Sequence, residues 1–358
     1  MCKILDIVEP GVLNAEESKT IFALAKKHNF AIPAINCINT DSINTVLESA
    51  SIMKSPIIIQ FSYGGSIFMS GSGLKKKLHD RAIIGAISGA QYTHHIAKYY
   101  DVPVILHTDH CDLEHLPWIN GLLLEGKKTF KQTGRPLFSS HMIDLSKEDI
   151  KKNLFLSVKY LKKVTKLDMM LEIELGCTGG EEDGINNSNI DNELLYTDTK
   201  DILYAFNKLS KINNNFIIAA AFGNVHGVYQ PGKVALRPSI LKNAQKYISS
   251  IKKLPDNPIN FVFHGGSGTN ISHITKSINY GVVKFNIDTD MQWNYWKGVL
   301  DFYIRNKPFL QHQLENSLKT NQPNKKYYDP RAWIRHAQQS SIKYLNKMCI
   351  NLNSYNKL

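Results

Sequence analysis

The chain has 358 residues, room for one large domain or two ordinary ones, and 43% of them are hydrophobic, so a sizeable core can form. Its five cysteines (Cys2, Cys37, Cys111, Cys177, Cys349) are odd in number, far apart and make no CxxC, which excludes a disulfide scaffold and points to a reduced, intracellular protein. The net charge of +12 comes from lysines scattered in twos and threes without a dense stripe, so no nucleic-acid partner is expected; MCKILDIVEP shows no signal peptide, and runs such as FIIAAAF (216–222) are too short to span a membrane.

The first expected element is a helix in which Asn14-Ala-Glu-Glu precedes Ile21 and Phe22. FAIPAIN (30–36) reads as a strand, after which Asp41 caps a helix with Ile43, Val46, Leu47 and Ala50 on one face. PIIIQFS (56–62) is a second strand, followed by a helix over 82–100. VPVILHTDH (102–110) is a third, and the less regular segment 113–133 contains WINGLLLEG. PLFSSHMID (136–144) comes next; Ser146 and Asp149 resemble a capping box ahead of Ile150, Leu154, Val158 and Leu161. MMLEIELG (169–176), FIIAAAFGNVHG (216–227), NFVFHGGSG (260–268) and VVKFNID (282–288) complete eight strand-like runs, with helices expected over 198–212, 238–251 and 270–280.

Strand then helix, eight times without a break in composition, predicts an α/β protein: a (β/α)8 TIM barrel over 1–358 as one domain, with an N-terminal helix and a C-terminal helical extension. A doubly wound open sheet would carry a glycine-rich turn after its first strand, and NCINTDS has no glycine.

In a barrel the carboxyl ends of the strands build the site. Here those ends carry Asn36, Ser62, Asp109 with His110, Asp144, Glu174, His226, His264, and Asn286 with Asp288. So many imidazoles and carboxylates on one rim would be costly to bury without a cation. His110, His226 and His264 match a catalytic Zn²⁺ site with an open position. His107 is a weaker candidate, and His94 and His95 lie mid-helix and are not expected to be ligands. HGGSG (264–268) and FNIDTD (285–290) lie where barrels bind phosphate through backbone N–H groups. GCTGGEEDGINNS (176–188) reads either as a solvated acidic loop or as a mobile lid bringing Glu181 or Glu182 in as a general base.

HTDHC, SSHMIDLS, LEIELGCTGGEEDG, FGNVHGVY, FHGGSG and NIDTD, in this order and with NQPNKKYYDPR near the C-terminus, closely resemble the class II, zinc-dependent fructose-1,6-bisphosphate aldolases of the long bacterial and fungal type. The resemblance implies reversible cleavage of fructose 1,6-bisphosphate to dihydroxyacetone phosphate and glyceraldehyde 3-phosphate, in glycolysis and gluconeogenesis, by a cytoplasmic homodimer. It implies that His110, His226 and His264 hold zinc, that Asp144 and Glu174 serve a second divalent site, and that a monovalent cation sits near one phosphate. It further implies Glu182 as the base on dihydroxyacetone phosphate, Asp109 as the acid on the aldehyde oxygen, and Ser62 at the aldehyde half. Gly227, Gly265, Gly266, Ser267, Asn286, Ile287, Asp288 and Thr289 would hold the ketone phosphate. Read from the residues alone, Arg331 after Asp329-Pro330 is either a surface arginine at a helix start or a phosphate ligand; the resemblance implies that it reaches the neighbouring subunit's site. A tagatose-bisphosphate aldolase would use the same constellation and is the alternative. A zinc hydrolase would show HxH on an early strand, where this chain has HTDH on the third.

Overall fold

The computed structural model describes residues 3–182, 185–187, 195–227, 235–314 and 322–358. Eight parallel strands close on themselves in chain order: β1 (Ile32–Asn36), β2 (Ile57–Phe61), β3 (Pro103–Thr108), β4 (Ser140–Ile143), β5 (Met170–Leu175), β6 (Phe216–Ala220), β7 (Phe261–Phe263) and β8 (Val282–Ile287). β8 returns to β1, with Lys284 opposite Ile32 and Ile287 opposite Ile35, so the sheet is the expected TIM barrel.

Inward and outward residues alternate along each strand, as the pleat requires. The outward set, including Ile35, Ile59, Phe61, Leu106 and Ile173, packs on the surrounding helices in one large apolar cluster. Helix Thr40–Met53 buries Ile43, Val46, Leu47 and Ala50 there, the face expected from sequence. Its cap is Asn39, whose side chain accepts from the Ser42 amide, while Asp41 sits in the first turn. The helix Ile150–Thr165 is likewise capped by Asp149, which accepts from Lys151 and Lys152; Ser146 instead gives its hydroxyl to Asp144 at 2.6 Å. The irregular segment after β3 is a full helix, Leu116–Thr133, ended by Gly134 at φ 70°.

The inward residues at the strand starts (Ile32, Ile58, Ile105, Met170, Ile217, Val262, Val283) form a second cluster, closed from below by Ile21, Phe22 and Ala25 of the N-terminal helix Ala15–Lys27. That helix starts with the reciprocal bonds of a capping box: the Glu17 amide to Asn14 at 2.9 Å and the Asn14 amide to Glu17 at 2.8 Å.

One irregularity sets up the site. Between β7 and β8 the register slips, Phe261 facing Val282 but Val262 facing Lys284. Val283 and Lys284 therefore both reach the barrel interior, and inward parity above the slip falls on Lys284 and Asn286. Among the described residues no helix is long and apolar enough to cross a membrane.

Candidate active site

Above the apolar plug the barrel interior turns polar. β3 delivers His107 and then Asp109; β2, Gln60; β5, Glu172 and Glu174; β7, His264 just past its end; β8, Lys284 and Asn286. All are buried, and Asp109 is fully inaccessible. Its carboxylate accepts from Gln60 at 2.8 Å and from Asn286 at 3.2 Å, and lies 3.4 Å from His110 Nδ1. Burial would raise this acid, but His110, by charge and hydrogen bond, then Lys284 and His264, hold it well below the usual carboxylate range.

His110 leaves the strand with φ at 30°, a left-handed conformation that a β-substituted residue adopts only under constraint. The turn swings its imidazole over the mouth, 4.5 Å from the His264 ring between centroids, with Nε2 3.7 Å from Glu174 Oε2. Glu174 uses Oε1 to accept from the Thr178 amide and hydroxyl, and its buried Oε2 takes no hydrogen bond among the described residues. Burial and the nearby Asp144 carboxylate push Glu174 up to about 8. Asp109, His110 and His264 bring ligand atoms within 4.8 Å of one another, and so do His110, Asp144 and Glu174. Two sets of hard oxygen and imidazole donors sharing His110, one with an orphaned carboxylate oxygen, fit a divalent cation. His264 is pushed down to about 4 by burial and then by His110, so it stands as neutral imidazole, the state a ligand needs.

The other expected residues divide. Asp144 and Glu174 do join His110. Ser62 caps the short helix Tyr63–Met69, its hydroxyl oxygen accepting from the Gly65 amide. On the phosphate side, Gly265 stands at φ 63°, and a Cβ on Gly266 would lie 2.3 Å from the Phe285 ring and 2.6 Å from the Asn286 carbonyl. Ser267 Oγ accepts from the Asp290 amide, which ties the loop after β7 to Asp288 and Thr289 at the start of helix Thr289–Asn306. Ile287 ends β8 with its side chain in the outer cluster, so only its backbone is available to a ligand. Gly227, at φ 86°, follows the two-residue strand Val225–His226.

His226 does not end β6. The run read as one strand breaks at Gly223 (φ 88°), and Val225–His226 joins a separate sheet beside Gly179–Glu182, which pairs in turn with Ile185–Asn187. The acidic segment expected as a loop is thus a hairpin strand in its described part, and its pairing sets the backbones of the His226 and Glu182 segments side by side. The side chains of His226 and Glu182 lie outside the described residues. Arg331 is exposed at the start of helix Pro330–Asn351 and forks onto Asp329 at 3.1 and 2.7 Å; among the described residues its side chain makes no contact with the site residues. His94 bonds the Leu137 carbonyl at 3.0 Å, as a structural histidine does.

Sequence reading missed Gln60, Glu172 and Lys284. The signal was present: MLEIEL alternates two acids, Glu172 and Glu174, at the period of a strand, and VVKFNI places Lys284 and Asn286 the same way.

A model of the family described as class-II fructose-bisphosphate aldolase matches residues 16–357. The chain is 61% identical to the class 2 fructose-bisphosphate aldolase of Buchnera aphidicola subsp. Schizaphis graminum, over 99% of this chain and 100% of that one. It is 55% identical to the class 2 fructose-bisphosphate aldolase of Escherichia coli K12, over 100% of both chains. A crystal structure of fructose-bisphosphate aldolase from Campylobacter jejuni superposes with a TM-score of 0.91 at 49% identity, again over 100% of both chains. With the barrel, the convergent rim and these relatives in agreement, the chain belongs to the class II fructose-bisphosphate aldolase family.

Proposed function

We propose that this chain is a lyase that cleaves fructose 1,6-bisphosphate reversibly into dihydroxyacetone phosphate and glyceraldehyde 3-phosphate, with zinc as its metal. The observation that carries the reading is the meeting of Asp109, His110 and His264 over Glu174 and Asp144 at the barrel mouth, in a family that is metal-dependent. His110, His226 and His264 would hold the zinc, and Asp144 and Glu174 a second divalent ion. Zn²⁺ bound there supplies a Lewis acid that draws negative charge from the C–C bond as it breaks.

The chain's own groups handle the protons. Asp109, kept ionised by its neighbours, accepts the C4 hydroxyl proton in cleavage and returns it to the aldehyde oxygen in condensation. Glu182 serves the other half, removing the proton from dihydroxyacetone phosphate. Ser62 bonds the aldehyde half; Gly227, the loop Gly265–Ser267 and the segment Asn286–Thr289 hold the ketone phosphate through backbone N–H groups. A monovalent cation beside that phosphate belongs to the same reading and rests on the family resemblance.

The second phosphate needs a cation from elsewhere. Arg331 is 90% exposed and ion-paired only with Asp329 among the described residues, which leaves it available to a neighbour in a homodimer. A dimer is further supported by a stripe of large exposed side chains on helix Thr289–Asn306: Trp293, Trp296, Leu300, Tyr303 and Ile304, with Trp293 59% exposed. The opposite face, at Gly298, packs against Ala337 and Ser340. Tagatose bisphosphate is not favoured, since the family model and the relatives at 61% and 55% identity are named for fructose bisphosphate. We place the reaction in the cytoplasm, in one domain, a reading supported by the buried, free thiols of Cys37, Cys111, Cys177 and Cys349.

The test is production of triose phosphate from fructose bisphosphate with and without a strong chelator. Activity should vanish on chelation and return with Zn²⁺ or Co²⁺. Full activity in protein shown by elemental analysis to be metal-free, or trapping of substrate on the protein by borohydride, overturns the reading.

A further inference from the structure

Glu172 and Lys284 lie one layer below the mouth, 0% and 1% exposed, and the proton transfers above use neither. One carboxylate organises the layer. Glu172 Oε1 meets His264 Nε2 at 2.7 Å; Oε2 meets Lys284 Nζ at 2.9 Å and His107 Nε2 at 3.2 Å. His107 is fixed from behind by Ser140 Oγ at 2.7 Å on Nδ1. Lys284 Nζ also stands 3.9 Å from Asp109 Oδ1. A fully buried ion pair is a poor source of stability, because desolvation of two ions offsets their attraction. Apolar side chains would fill this layer at no loss of fold, as they fill the layer beneath it.

We infer that Glu172 and Lys284 are a positioning pair for the metal: Lys284 pins the Glu172 carboxylate, which takes the Nε2 proton of His264 in a hydrogen bond and so aims the Nδ1 lone pair at the site. In the structure that nitrogen is turned away from Glu172, with the Asn286 amide 3.2 Å away. A metal-bound imidazole whose outer N–H meets a carboxylate has a single tautomer and a fixed ring plane, and is a stronger donor. The β8 bulge is what lets a lysine side chain enter this layer while Val283 still fills the one below. Lys284 is not a Schiff-base nucleophile in this arrangement: its amine is held by Glu172 and Asp109 beneath the imidazoles, 1% exposed.

The inference rests on His264 being a zinc ligand, so the test carries His264→Ala as a control. Zn²⁺ dissociation constants are measured by competition with a chromophoric chelator, and the visible spectrum of the Co²⁺ form reports ligand geometry. Glu172→Gln and Lys284→Met should each weaken Zn²⁺ binding, by about 10–100-fold for Glu172→Gln, and alter the Co²⁺ spectrum. Because a lone buried charge can unfold the single variants, the double variant Glu172→Met/Lys284→Met is included; replacing both ions with apolar groups is often neutral for folding. It too should bind Zn²⁺ more weakly, with its metal-free melting temperature near wild type. A wild-type dissociation constant and Co²⁺ spectrum in a folded double variant overturn the inference. If His264→Ala also binds Zn²⁺ as wild type does, the ligand assignment itself fails; if only that control loses affinity, the ligand stands and the positioning pair falls.

Discussion

The two halves of the barrel interior are built on the same eight strands and differ almost completely in chemistry. The lower half is Ile32, Ile58, Ile105, Met170, Ile217, Val262 and Val283 over Phe22; the upper is Gln60, His107, Asp109, Glu172, His264, Lys284 and Asn286. Apolar burial contributes roughly 25 cal/mol per Å², so the lower half stabilises the barrel with no demand on geometry beyond packing. The upper half must find partners for most of its buried polar atoms, since each unpaired one costs about 1–3 kcal/mol, and Gln60 Oε1 and Asn286 Oδ1 have none among the described residues. A barrel needs the first kind of layer to fold and the second only to act.

That contrast can be broken by exchanging the consequences of mutation. Asp109→Asn should stay folded, at a cost of about 1–3 kcal/mol for the donors it leaves unpaired, while lowering kcat for cleavage by about 10²–10⁴-fold; an unfolded protein, or a kcat within a few-fold of normal, would mean that the upper layer is structural. Phe22→Ala in the plug should do the reverse. Its loss is expected to cost about 3–5 kcal/mol of stability in denaturant titration, with kcat per folded molecule unchanged.

The smallest effect sharpens the contrast with a histidine on the outside of the barrel wall. His141, on the other face of β4 from Ser140, bonds Thr108 at 2.8 Å and lies against Phe138. Burial, then His107, pushes it down to about 3. In the unfolded chain its value is about 6.5. The unfolded state therefore binds the extra proton between these values. The stability His141 contributes is complete above about pH 6.5 and is lost as pH falls toward 3, at up to about 1.4 kcal/mol per pH unit. His141→Gln should flatten the pH dependence of stability by up to one proton in that window, measured by denaturation at a series of pH values, and should leave the metal dissociation constant alone.

The barrel was legible because its strands are short apolar runs whose period is 2 and whose ends are ionisable. His110, Asp144, Glu174 and His264 stood out as strand ends, and the structure gathers them. Glu172 and Lys284 did not, because a charge in mid-strand looks like noise in a core pattern until a partner strand supplies the opposite charge. That partner is 112 positions away (284 − 172) and appears only when the barrel closes. His226 looked like the end of β6 because FIIAAAFGNVHG reads without interruption, yet Gly223 takes a positive φ and starts a different sheet. Caps were misread by a few residues for a related reason: Asp41 and Asn39, or Ser146 and Asp149, are equally good capping types, and only the backbone chooses.

The closing pair of strands has a consequence for biosynthesis. Lys284 pairs with Ile32 across 252 positions (284 − 32), so while the chain is being made β1 waits with an open edge until nearly the whole barrel has emerged. Over the same interval Glu172 is present without its cation, because Lys284 arrives on the last strand. One late event thus seals the sheet and neutralises the interior, and chains stopped before β8 would keep both an unpaired strand edge and an uncompensated acid. Such fragments should be clients of chaperones and proteases, and should not accumulate as folded intermediates.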